Sequence, residues 1–404
     1  MIATGISVAV IGGGIGGLAA ALSLLRAGID VHVYEQAGVL REVGAGVQIS
    51  PNASRVLHRL GLAGPLAATG VRPLAWHQRR WDDGRTLLRT PLAGAVETAF
   101  GAPHYQVHRA DLLAALVDAL PAERLHLGHC IAQLVEQGDR VEAAFDNGAS
   151  TSVDALIGAD GIHSHVRQVL LGPERPRFTG CVAYRGLVPA ERLAHLDLEV
   201  TAQIWMGPGQ HFIHYFVAAG RLLNFVAVID QDEWARESWT ERGDIADARA
   251  AFAAWHPQVR AILDAVEETF IWGLFDRPPL PRWTVGRATL LGDACHPMLP
   301  FMAQGAAQAI EDGATLAACL SGLGKARIAE ALRRYEAQRL PRASRLQAMS
   351  ADNKLRFHLP DGPEQQARDA AMAGGGTDWS LSAIEWVYAH DAGVLEPGSD
   401  ASLL

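Results

Sequence analysis

No run of about 18 apolar residues occurs in this 404-residue chain, which excludes a membrane-spanning helix. A basic stripe is missing as well. With 35 Lys and Arg against 44 Asp and Glu the formal net charge is −9, so nucleic-acid binding through phosphate neutralisation is not expected, and an anionic ligand must be held by local donors. The four cysteines, Cys130, Cys181, Cys295 and Cys319, form neither a CxxC pair nor a metal-ligand cluster with His. They read as reduced cysteines of a cytoplasmic protein with no metal site. Cys295 stands just after Asp293, but packing rather than nucleophilic chemistry is its expected role. The first apolar stretch has no basic n-region and runs straight into a glycine turn, so it reads as a core strand and not as a signal peptide. There is no internal repeat. What remains is ordinary for a soluble enzyme, 49% hydrophobic and 20% charged, in a chain long enough for two interlocked domains.

What the chain does have is three glycine-rich or acidic signatures, each at the end of an apolar run. Gly12, Gly13, Gly14, Gly16 and Gly17 follow residues 6–11; Asp160 and Gly161 follow residues 153–158; Gly292 and Asp293 follow residues 288–291. An open α/β sheet binds its ligand at such strand ends. In the first signature Gly12 permits the tight turn, Gly14 lets backbone approach a pyrophosphate, and Gly17 lets the next helix pack closely. That helix, residues 18–27, is closed by Gly28 and directs unpaired N–H groups at the phosphates. A second strand, residues 31–34, delivers Glu35 about 20 positions after Gly14, where a carboxylate holds a ribose diol. Together these predict a dinucleotide site without separating NAD from FAD.

The later elements separate them. Residues 105–112 with Arg109, the pair Asp160 and Gly161 with Ser164 and Arg167, and residues 291–297 around Asp293 resemble the conserved set of single-component flavoprotein aromatic hydroxylases, in order and spacing, from about residue 6 to about residue 350. The resemblance implies that the glycine motif and Glu35 bind the ADP half of FAD, that Arg109 contacts the cofactor and that Asp293 binds the ribityl chain. It also implies that Asp160 and Gly161 serve both FAD and NAD(P)H, the co-substrate, so no second glycine motif is needed. Residues 297–308 read as a proline-shaped loop leading into a helix. Gly305 and Ala306 at its start would aim free N–H groups at the flavin ring and stabilise the anionic reduced form. Glu311 and Asp312 on that helix read as structural acceptors. Residues 42–52 also match the family, their glycines permitting a mobile flavin, and Arg41 before them is either a cofactor contact or a solvated loop tip.

The expected fold is α/β, a Rossmann-type FAD-binding domain interleaved with an antiparallel-sheet substrate domain, plus C-terminal helices. Residues 1–175 form the first part of the FAD domain, with a hairpin turning at Asp146, Asn147 and Gly148. Residues 176–268 form the sheet. Residues 269–355 return to the FAD domain and end in a long helix that Pro341 should kink or break, and residues 356–404 are a looser appendage. On the strand 210–217, His211, Ile213 and Tyr215 share one face while Phe212, His214 and Phe216 share the other. Alone, that pattern is met by a half-buried strand whose His and Tyr have backbone partners. Its context, Trp205, Met206, Gly207 and Pro208 before His211 and Tyr215, is similar to 3-hydroxybenzoate 6-hydroxylases and 6-hydroxynicotinate 3-monooxygenases. This implies His211 as base toward a substrate phenol and Tyr215 as a substrate contact; Tyr105 is a further candidate contact. A base is needed because the electrophilic oxygen of a flavin C4a-hydroperoxide reacts with a phenolate far better than with a phenol. An imidazole titrates in the working range, and such assistance is worth ~10²–10⁴ in rate.

The expected activity is therefore hydroxylation of a small phenolic aromatic acid with NAD(P)H and O2. Gln48 stands where the hydroxynicotinate enzymes tend to carry His, and Pro300 where the 3-hydroxybenzoate enzymes tend to carry Gln. The reading favours a salicylate-like ring that loses its carboxylate as CO2, with a 3-hydroxybenzoate or hydroxypyridine carboxylate as the alternative. Flavin-dependent halogenation is disfavoured because none of the ten tryptophans has another two positions away. A non-catalytic FAD-binding sensor is the rival from another class, and a homodimer stays open.

Overall fold

The computed structural model describes residues 5–40, 45–232, 242–375 and 380–395; Arg41 and Gly44 lie outside them. Nineteen strands are described. The first part of the chain gives β1 (Ser7–Ile11), β2 (Asp30–Glu35), β3 (Gly46–Ile49), β4 (Ala75–Arg80), β5 (Thr86–Pro91), β6 (Tyr105–His108), β7 (Leu125–Leu127), β8 (Ile131–Gln137), β9 (Arg140–Phe145), β10 (Ser150–Val153) and β11 (Ala155–Gly158). The second gives β12 (Arg177–Pro189), β13 (Ala202–Gly207), β14 (Gln210–Val217), β15 (Leu222–Asp230), β16 (Arg242–Gly243), β17 (Thr269–Asp276), β18 (Thr284–Val285) and β19 (Ala288–Leu290).

Val8, Val10, Ile11, Val31, Val33, Leu156 and Ile157 are all buried, as central strands covered on both faces require. They build a six-stranded sheet in the order β18-β19-β11-β1-β2-β7, parallel except for the β18/β19 pair. In this order β1, β11 and β19 are neighbours, with Ile11 opposite Gly158 and Gly158 opposite Leu290. The three signatures, far apart in sequence, therefore leave the sheet side by side. The hairpin forms at residues 146–149, but the strand after it divides at Asp154. β10 stays with β9, and β11 enters the parallel sheet. The buried Asp154 carboxylate anchors the junction, accepting from the Ser7 amide (2.8 Å) and Oγ (2.9 Å) and pairing with Arg140 and Lys325 at 3.0 Å each.

The second sheet has eight strands in the order β16-β17-β12-β15-β14-β13-β4-β5, antiparallel except for β13/β4. It takes in β4, β5 and β17 besides the expected span of 176–268. The run Ala75–Arg80 carries His, Gln and two Arg, so its hydropathy hides a strand that is buried by pairing with β13.

The long helix Ile328–Phe357 is not broken at Pro341. An interior proline costs about 3 kcal/mol, and here both halves of the helix are tied down. Arg339 and Arg342 bind Glu311, Gln347 donates to the Pro297 carbonyl (3.0 Å) and Asn353 to that of Phe301 (3.2 Å). The tail is also less loose than expected. Met372, Ile384, Val387 and Tyr388 enter a core with Trp76 and Phe301, and Arg342 donates to the carbonyls of Trp386 and Val387. No described helix is long and apolar enough to cross a membrane.

Candidate active site

The glycine turn is set by backbone crowding. Gly12 has φ +112°, a side chain there would lie 2.3 Å from the Ala159 carbonyl, and one at Gly17 would lie 2.0 Å from that of Gly12. Glu35 meets the turn, its Oε2 accepting from the Gly13 amide (2.6 Å) and its Oε1 from that of Ala37 (2.8 Å). Gly14 faces open space and lines a deep cavity together with Gly16, Arg109, Gly161, Asp293, Gly305 and Ala306. Arg109 is the first residue of the helix Arg109–Ala119, and Gly305 begins the helix Gly305–Leu320. Just before that helix, Ala303 adopts φ +51° and turns the chain so that the helix N-terminus meets the cavity.

Two expected contacts fall elsewhere. Tyr105 does not line the cavity. Strand alternation puts it on the core side with Val107, where its hydroxyl meets His58 Nε2 at 3.3 Å. The Asp160 carboxylate is turned into the start of the helix His165–Leu171, taking hydrogen bonds from Ser164 Oγ (2.5 Å) and the amides of His165 (2.7 Å) and Val166 (3.1 Å). Burial lifts its carboxyl above the usual range. Its neighbours Ala159, Gly161 and Ile162 face the cavity instead.

The Asp293 turn is fastened from below. Asp312 accepts from the Gly292 amide (3.0 Å), from His296 Nε2 (2.6 Å) and from Arg339 (2.7 Å), while Arg339 also bridges Glu311. Glu311 and Asp312 are thus structural acceptors. Burial, Asp312 and Asp293 push the Cys295 thiol far up, which suits packing rather than attack. Folding brings Cys295, His296 and Asp312 within reach of one another, and likewise Cys181, Asp230 and His358, groupings that sequence spacing does not reveal. Asp312 is already paired with Arg339, and Asp230 with His358.

The opposite wall is the large sheet. Cross-strand register sets His211 opposite Val228, Ile213 opposite Val226 and Tyr215 opposite Asn224, while β12 adds Arg185 beside Val226. All but Val228 line the cavity, which faces Asp293 and Gly305 on its other side. Phe212 lies on the reverse face in a separate core, and His214 is buried there too, as period-two alternation requires. Gly46 must be glycine here: a Cβ would sit 2.6 Å from the Tyr215 ring, and its amide donates to Asn224 Oδ1 (2.7 Å). His211 is fully buried and its Nε2 has no hydrogen-bond partner among the described residues. Burial and the neighbouring His358 hold its pKa well below the usual histidine value. Burial raises the Tyr215 phenol. Arg185, absent from the sequence reading, lies 4.0 Å over the Trp272 ring, which fixes its direction. A lone arginine inside the largely apolar run 181–188 was the available signal.

The FAD binding domain family matches residues 5–350. The chain belongs to that family. Over 385 residues, 95% of the chain and 96% of the relative, it is 44% identical to the 3-amino-4-hydroxybenzoate 2-monooxygenase PtmB3 of Streptomyces platensis. It is 40% identical to the 6-hydroxynicotinate 3-monooxygenase of Pseudomonas fluorescens over 349 residues, 86% and 90% of the two chains. Among solved structures it is similar to a salicylate hydroxylase substrate complex, with TM-score 0.82, 28% identity and 96% and 97% coverage. The chain is thus a flavin-dependent aromatic monooxygenase, not a sensor, and FAD is its cofactor with NAD(P)H as the reductant typical of the class.

As a member of this family the chain has residues that fit FAD: a crowded glycine turn with Glu35 beside it, a bare helix N-terminus, and Asp293 opening onto the cavity between them. Asp293→Ala is expected to weaken FAD binding by roughly one to two decades, the worth of a charge-assisted hydrogen bond of about 1.5–3 kcal/mol. Fluorescence titration of the apoprotein measures it, and an unchanged Kd would remove Asp293 from the cofactor site.

Proposed function

We propose that the chain hydroxylates a single-ring aromatic acid whose hydroxyl stands para to its carboxylate, with His211 as the base toward that hydroxyl and Tyr215 as a substrate contact. The observation that carries this is the shared sheet face on which His211, Tyr215 and Arg185 meet the same cavity as Asp293 and Gly305. Bound FAD, reduced by NAD(P)H, supplies the activated oxygen. His211 Nε2 takes the proton of the ring hydroxyl, and the resulting phenolate directs electron density to its ortho and para carbons. Arg185 receives the carboxylate: Arg109, the other arginine of the cavity among the described residues, acts on Asp293 at the cofactor end. The net charge of −9 leaves such local donors to hold an anion.

The para arrangement departs from the salicylate-like expectation. The relatives at 44% and 40% identity are named for 3-amino-4-hydroxybenzoate and 6-hydroxynicotinate, both with hydroxyl para to carboxylate, whereas the salicylate hydroxylase is 28% identical. A cytoplasmic enzyme with no membrane or nucleic-acid partner belongs to the same proposal.

The test is NAD(P)H consumption with product mass, using 3-amino-4-hydroxybenzoate, 4-hydroxybenzoate, 6-hydroxynicotinate, 3-hydroxybenzoate and salicylate, each carboxyl-labelled so that CO2 release is read directly. The para compounds are expected to turn over best. Arg185→Gln should raise their KM about ten-fold or more, the scale of one hydrogen bond to a charged group, while sparing FAD affinity. Preference for salicylate with label in the gas would favour a salicylate-like substrate instead.

A further inference from the structure

We propose that His358 and Asp230 carry the substrate's proton from His211 to solvent along one line of hydrogen bonds that begins at the cavity wall. The proposal rests on His211 being the base. His211 Nδ1 lies 2.6 Å from His358 Nε2, and His358 Nδ1 lies 2.8 Å from Asp230 Oδ1. The three residues come from β14, from the end of the long helix and from the end of β15. Both imidazoles are buried, and Asp230 is exposed.

The chemistry of the donors fixes the direction of the line. A carboxylate only accepts, so His358 Nδ1 carries the hydrogen, and in the neutral ring that the relay uses its Nε2 is bare. His358 Nε2 then accepts, so His211 Nδ1 carries a hydrogen as well. This leaves the lone pair of His211 Nε2 for the substrate, the arrangement a base needs. The rings of Phe301 and Phe357, with centroids 5.0 and 5.3 Å from that of His211, flank it with apolar surface.

A base that kept the proton would become a buried imidazolium, which burial and His358 oppose. The line removes that cost. As the ring O–H breaks, His211 Nε2–H forms; the hydrogen on His211 Nδ1 moves to His358 Nε2; the hydrogen on His358 Nδ1 moves to Asp230 Oδ1; and Asp230 releases its proton to water. Both rings stay neutral, with their tautomers exchanged. The reverse sequence protonates the product phenolate and restores the start. Asp230 suits the last step. Burial works to raise its carboxyl, but His358, Cys181 at 3.2 Å and Lys354 at 3.8 Å take it below the usual range, so it does not hold a proton at neutral pH.

The experiment uses FAD-loaded enzyme in two readouts. Nitrogen-15 NMR of the histidines is expected to show His211 as the Nδ1–H tautomer, and the Nε2–H tautomer would overturn the proposal. Stopped-flow mixing of oxidised enzyme with 3-amino-4-hydroxybenzoate reads phenol-to-phenolate conversion in the ultraviolet. His358→Gln offers an oxygen to the His211 N–H but cannot pass a proton on. It should keep the tautomer and slow ionisation roughly ten- to a hundred-fold, less than the ~10²–10⁴ at stake in the base itself. Asp230→Asn should slow it similarly, and His358→Leu should lose the tautomer too. Wild-type rates and an unchanged solvent-deuterium effect in both His358→Gln and Asp230→Asn would overturn the relay and leave His211 standing. Ionisation surviving in His211→Ala, or no ionisation in the wild type, would instead remove the base assignment, and the relay with it.

Discussion

His211→Ala is expected to keep its FAD and to be reduced by NAD(P)H, yet to lose oxygen transfer by about 10²–10⁴, the worth of a positioned general base. The separation follows from the layout. His211 sits on the sheet wall, while the glycine turn, Asp293 and the helix beginning at Gly305 lie across the cavity. Reduction therefore proceeds while the ring stays a phenol, and oxygen leaves as hydrogen peroxide. Product yield per NAD(P)H, with peroxide counted alongside, is the measurement. In the variant the yield should climb as pH approaches the phenol's own pKa, about 10 for a simple phenol, because solution then does what the side chain no longer does. The wild type needs no such help. Its His211 is held neutral, and so competent as a base, well below the ordinary histidine value by burial and by His358. A variant with wild-type coupling at neutral pH would exclude His211 as the base.

The parts of this site that were legible in the sequence are those governed by local rules. The turn at Gly12, the helix closed near Gly28 and the acid at Glu35 follow from strand, glycine and helix signals in register, and the structure repeats them within a few residues. The common face of His211 and Tyr215 follows from period-two alternation alone. What was missed depends on pairing across the chain. β4 is polar enough to hide as a loop, and it is a strand because β13 lies beside it. His358 and Asp230 carry no local mark, since one caps a helix and the other ends a strand until folding sets them 2.8 Å apart. Tyr105, a candidate substrate contact, is turned into the core by the same alternation that located His211. Asp160 stands before a helix whose first amides require an acceptor, a local signal outweighed by the family pattern. Pro341 was read by the rule for an isolated helix, whereas this helix is held by partners on both sides of it.

Arg339→Met should be the most destabilising of these changes, because it removes the cation that serves two fully buried carboxylates. Arg339 binds Asp312 through Nε at 2.7 Å and Glu311 through Nη1, and all three side chains are at most 1% exposed. Breaking a buried ion pair by removing one partner costs about 3–5 kcal/mol, since the charge left behind loses compensation it cannot recover from water. Arg342 still serves Glu311 and His296 still serves Asp312, which places the expectation at the lower end of that range. Arg339→Lys should recover only part of it, because a single ammonium cannot reproduce the fork that reaches both acids. The pH dependence has a definite sign. Burial works to raise both carboxyls, but the arginines and His296 hold them below their usual values in the folded protein. Their stabilisation is thus fully present above the unfolded carboxylate pKa of about 4 and is lost as pH falls through the depressed folded values. The gap between wild type and variant should be widest at neutral pH and should narrow in acid, once the carboxyls are protonated in both proteins. Denaturant titrations at several pH values read it. Because Asp312 also holds the Gly292 amide below Asp293, the variant should bind FAD more weakly, and added FAD should return part of the lost stability by mass action. A gap that stayed constant from neutral to acid pH would mean that the loss came from packing around Arg339 and not from its two carboxylates.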